Sequence, residues 1–70
     1  MDKDKIKAHL IKNGWSEDNQ FVKDIMASKN DEQIDHVLMH IAFQLGSDKG
    51  YGDDGCIDLH IEIRKECEEL

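Results

Sequence analysis

Apolar residues recur three and four positions apart in three successive segments, and no proline interrupts any of the 70 residues, so the chain is patterned for short amphipathic helices. In the first segment Ile6, Leu10 and Ile11 share a face between residues 2 and 13, with Asp2 and Asp4 in the first turn and Gly14 as the C-terminal stop. The second starts at Ser16, a good N-cap. Trp15 packs back toward Phe21 as a hydrophobic staple, and Phe21, Val22, Ile25 and Met26 form a face that runs to about Ser28. In the third, Asn30 or Asp31 is the cap and Gln33 answers Asn30 in a capping-box arrangement. Ile34, Val37, Leu38, Ile41 and Leu45 then line a narrow stripe that ends before Gly46.

Residues 46–55, GSDKGYGDDG, read as a Gly/Asp-rich loop by composition. Residues 56–70 fit two periods. As a strand, Ile57, Leu59, Ile61 and Ile63 alternate with Asp58, His60, Glu62 and Arg64. As a helix turning about 100° per residue, Cys56, Leu59, Ile63, Cys67 and Leu70 fall on one side. A lone strand leaves its backbone groups unpaired and nothing else in the chain resembles a partner strand, so the helix is favoured. The strand requires a second copy or another protein to pair with. The expected fold is all-α: one domain over residues 1–70, a compact bundle of three to four short helices. Its expected core is Ile6, Leu10, Phe21, Ile25, Val37, Leu38, Ile41, Leu45, Leu59 and Ile63.

A chain this short buries only about 60% of the surface it exposes when unfolded, which argues against a deep enclosed cleft. Its longest apolar runs, residues 37–39 and 41–43, are split by His40 and fall far short of the roughly 18 residues of a spanning helix. The first dozen residues alternate Lys and Asp instead of presenting a signal peptide's apolar region, so the expected location is cytoplasmic. In that reducing compartment Cys56 and Cys67 read as small buried hydrophobes.

Three motifs suggest chemistry and fail on context. GYGDDG matches a dinucleotide-binding glycine pattern, but it follows a helix and Asp53 and Asp54 would repel phosphate. As a calcium loop, the same stretch has Gly50, Gly52 and Ile61 where main ligands belong. His36 with His40, and Cys56 with His60, are each four apart and together make four zinc-type ligands. On helical wheels, however, the first pair lies opposite the Ile34 stripe and the second beside the stripe that the last helix buries. No metal site, cofactor or catalytic residue is therefore assigned. Met39 and Phe43 lie on the same far side as His36 and His40, so these four residues are either core packing or a self-association surface that would make a homodimer.

Charge is distributed unevenly. Residues 1–13 carry four Lys and two Asp, whereas residues 47–70 carry eight acidic and three basic side chains, within a net charge of -7. A dense carboxylate face disfavours direct nucleic-acid binding and steers a domain onto a basic surface. The expected function is thus a small acidic protein-binding module, not an enzyme, that inhibits or neutralises a basic partner such as a nuclease or other DNA-acting enzyme. Its expected contacts are Asp48, Tyr51, Asp53, Asp54, Asp58 and Glu62, with no membrane involved. The alternatives are a metal-binding regulator using His36, His40 and Cys56, a self-associating regulator, and an enzyme.

The run SEDNQFVKDI, the acidic cap NDEQI, and GSD followed by Tyr51, an acidic loop and Ile57 resemble the nuclease-colicin immunity proteins over roughly residues 16–63. The resemblance implies a small acidic four-helix protein that binds a toxin nuclease beside its active site, with Asp48, Tyr51 and the neighbouring acids as contacts. The family carries a tyrosine pair followed by proline in a short third helix, where this chain has the single Tyr51 and no proline, and the Lys-rich first helix has no counterpart. Small acidic inhibitors that mimic DNA, including phage-encoded ones, share the composition without the motifs.

Overall fold

Local capping chemistry sets the ends of each element. A computed structural model describes all 70 residues as four helices with no strand: α1 (Lys3–Lys12), α2 (Gln20–Ala27), α3 (Asp31–Asp48) and α4 (Asp53–Glu68). Asp2 caps α1 by accepting from the backbone N–H groups of Asp4 and Lys5. At the other end Gly14, at φ 97°, closes a Schellman turn in which the Trp15 N–H reaches the Leu10 carbonyl at 3.0 Å. Asn30 caps α3 as expected, accepting from the Gln33 N–H at 2.9 Å, but the Gln33 side chain does not close the box on Asn30: it accepts from the N–H of Lys29, one residue earlier, at 2.8 Å.

Two boundaries differ from expectation. Ser16 does not cap α2. Its hydroxyl accepts from the Asp18 N–H and closes a separate turn, and Asn19 becomes the cap by accepting from Phe21 at 2.8 Å. The expected Trp15–Phe21 contact is present, edge to face at 5.8 Å between ring centroids. The predicted loop at residues 46–55 shrinks to the four residues 49–52, because α3 runs through Gly46 to Asp48 and α4 begins at Asp53. Gly50, at φ 79°, makes the second Schellman turn, with the Tyr51 N–H on the Gly46 carbonyl at 2.8 Å. Residues 56–70 are helical through Glu68, so the strand alternative does not apply. α3 is the longest helix and Tyr51 lies in the turn after it, unlike the short tyrosine-bearing third helix that the immunity-protein resemblance implies.

The turn at residues 49–52 forces α3 and α4 into an antiparallel pair, the principal contact of the fold, while α2 packs on both α1 and α3. Ile6, Leu10, Val22, Ile25, Ile34, Leu38, Ile41 and Cys67 form one buried cluster. Phe21, Val37, Leu45 and Ile63, expected inside it, pack half-buried at its margin, and Leu59 is half-buried outside it. The Lys3 ammonium donates to the Met26 and Ser28 carbonyls at 3.2 and 2.8 Å and so closes the C-terminal end of α2 against α1.

At Gly46 the side chain of Cys56 in α4 packs into the space where α3 carries no side chain. A β-carbon there would overlap the Cys56 sulfur, whereas the Cys56 β-carbon would stand at 3.4 Å, ordinary contact distance. Gly→Ala inside a helix normally stabilises by about 0.5–1 kcal/mol. At this position Gly46→Ala is expected instead to destabilise by about 1–3 kcal/mol, because the sulfur must leave its rotamer or the helices must part. In a Cys56→Ala background the same substitution should become neutral or stabilising. Urea unfolding of the four chains of this double-mutant cycle measures the change of sign.

Candidate protein-binding surface on α4

Once Cys56 and Cys67 turn inward, helix geometry decides what α4 shows to solvent. At about 100° per residue, Ile57 and Ile61 turn to one side of that buried line, roughly 90° and 130° round the helix from it, and they are 47% and 46% exposed. Asp54 and Asp58 run beside them, also one turn apart, and Glu62 continues the row. Tyr51 lies across the acidic row from the isoleucines, on the side of Gly55. Its ring rests on the backbone of Gly55, where an added β-carbon would come within 3.0 Å of the Tyr51 β-carbon. The Lys49 ammonium stands 5.9 Å from the ring centroid, and 48% of the residue remains exposed.

All six expected contact residues, Asp48, Tyr51, Asp53, Asp54, Asp58 and Glu62, are exposed. Asp54, Asp58 and Glu62 fall in one row on the Tyr51 side of the isoleucine pair. Asp53 turns to the far side of Ile57 and Asp48 ends α3, so these two border the surface instead of lying in it. Asp53 and Asp54 also occupy the first turn of α4, where their charge complements the helix N-terminus in place of a side-chain cap, which Gly52 does not provide. Sequence reasoning missed Ile57 and Ile61. The signal was present in the helical reading, since neither residue falls on the Cys56–Leu59–Ile63 side.

The opposite edge of α4 is tied to α3. His60 Nε2 donates to Asp35 Oδ1 at 2.9 Å, and Arg64 Nη1 lies 3.4 Å from Asp35 Oδ2. Arg64 also donates through Nε to Glu68 at 2.8 Å, and these two carboxylates, Glu68 first, raise its pKa above the usual value. His60 is thereby committed to Asp35, and Cys56 is buried against Gly46. The four ligands His36, His40, Cys56 and His60 therefore do not converge, and no three His, Cys, Asp or Glu side chains come together as a metal-binding group. His36 and His40 remain as an exposed pair with Nε2 atoms 3.1 Å apart, and Met39 and Phe43 beside them are half-buried.

No helix is long and apolar enough to cross a membrane. Comparison with protein-family models, with curated proteins and with solved structures finds no match for this chain.

Burial, and secondarily Glu66, push the Cys67 thiol from its ordinary 9.0 up to about 11. The folded state therefore holds this proton more tightly than the unfolded chain does. Stability should be unaffected by this group below about pH 9 and should fall as pH rises toward 11, because the unfolded chain ionises first. Denaturant unfolding at pH 8, 9, 10 and 11 should show a steeper decline for the parent than for Cys67→Ala. Thiol-reactive probes should modify Cys67 at pH 8 only as fast as the chain opens.

Proposed function

We propose that the chain is a non-enzymatic protein-binding module that lays the outer face of α4 into a basic groove of a partner protein and so inhibits or neutralises it. The exposed Ile57–Ile61 pair carries this reading. Single exposed apolar residues are ordinary on protein surfaces. Two isoleucines one turn apart, with a row of carboxylates on one side and a tyrosine beyond that row, combine apolar contact with a charged rim as interfaces do, in the arrangement by which a helix enters a groove.

The charge supports a basic partner. Asp54, Asp58 and Glu62 repeat once per turn, a rise of about 6 Å, and set negative charge at regular intervals as a nucleic-acid backbone does. A nuclease or another DNA-acting enzyme offers a matching positive channel, and a module seated there would exclude the nucleic acid. Carboxylates at the rim set the association rate, whereas apolar anchors set the lifetime of the complex.

Capture on the immobilised chain at low and then moderate salt, followed by binding kinetics with the captured protein, tests the proposal. Asp54→Asn with Asp58→Asn should slow association about tenfold at low salt and flatten its salt dependence. Ile57→Ala with Ile61→Ala, or Tyr51→Ala, should speed dissociation at least about tenfold with association little changed. Unchanged binding by all these variants, with loss of binding when Lys5 and Lys7 are replaced by Glu, places the working surface on α1 and overturns the proposal.

A further inference from the structure

We propose that His36 and His40 form a bidentate site for a divalent transition-metal ion on the exposed face of α3. The two residues are one turn apart, their rings are nearly perpendicular at 83°, and their Nε2 atoms share a hydrogen bond at 3.1 Å, one ring donating to the other. Two metal–nitrogen bonds of about 2.0–2.1 Å span roughly 2.9 Å when they meet at a right angle and roughly 3.4 Å at the tetrahedral angle. The observed separation falls inside that interval, so the helix spaces the two nitrogens for one ion, which binds by displacing the proton they share.

The surroundings favour a cation independently of that geometry. The pair borders an open groove of about 1010 Å³ between α2 and α3 that Asp24, Glu32 and Asp35 also line, with no lysine or arginine among its walls. Asp35 is already paired with His60 and Arg64 and Asp24 accepts from Gln20, whereas Glu32 makes no ion pair and stands one turn before His36 on the same ridge. Both imidazoles are exposed, so an ion enters without local unfolding, and water completes its coordination. Imidazole nitrogen selects copper, nickel and zinc over magnesium and calcium, and among these Cu(II) binds most tightly. The site lies on a different helix from the docking surface and does not depend on it.

Calorimetric titration of the untagged chain with Cu(II), Ni(II) or Zn(II) alone, in a non-coordinating buffer, tests the assignment. One ion should bind per chain, Cu(II) tightest, and an excess of Mg(II) should not displace it. His36→Gln and His40→Gln should each weaken binding at least about tenfold, since a chelate becomes a single ligand, while His9→Gln leaves it unchanged. The electron paramagnetic resonance spectrum of the Cu(II) form should show two coordinated nitrogens in the parent and one in each single variant. Parent-like affinity in the His36→Gln/His40→Gln double variant, or displacement by Mg(II), overturns the proposal.

Discussion

The close approach of α3 and α4 at Gly46 and Cys56 orients everything else on α4. Glycine inside a helix sacrifices roughly 0.5–1 kcal/mol relative to alanine, and here it admits the Cys56 sulfur to a space that no other residue leaves free. With Cys56 fixed inward, the next residue turns about 100° round the helix, and Ile57 and then Ile61 are carried to the surface. At the far end Asp35 holds both His60 and Arg64. The helix is therefore pinned near both ends of the contact, and its outer face is presented as a fixed surface.

Among the lysines and arginines only Arg64 forms an ion pair. Lys3 closes the end of α2, His9 approaches Glu66 at 3.5 Å, and Arg64 is shared between Asp35 and Glu68. Asp54, Asp58 and Glu62 make no ion pair within the chain, so their charge is directed wholly outward. Such exposed charges contribute little to stability, which leaves the row free to serve encounter with a partner.

Features that act within a few residues were legible in the sequence. Gly14 closes α1, Asn30 caps α3, and the apolar stripes of α1 and α3 supply most of the buried cluster. Features that depend on a neighbouring helix were not. Gly46 reads as a stop until the Cys56 sulfur is known to occupy its missing side chain. Asp53 and Asp54 read as loop until they are seen as the acidic first turn of α4. Ser16 and Asn19 both suit an N-cap, and only the turn closed by Ser16 decides between them. At the candidate surface the acids and Tyr51 were legible, but the isoleucines were absorbed into an alternating pattern that also described a strand.

That the outer face of α4 is the docking surface is tested most directly by isoleucine-methyl spectra of the chain with and without its captured partner. The eight isoleucines sample every helix: Ile6 and Ile11 in α1, Ile25 in α2, Ile34 and Ile41 in α3, and Ile57, Ile61 and Ile63 in α4. The account predicts that the Ile57 and Ile61 methyl signals shift or broaden on binding while those of Ile11 and Ile34 stay in place. Unmoved Ile57 and Ile61 signals, with a shift confined to Ile11 on the Lys-rich helix, would contradict it.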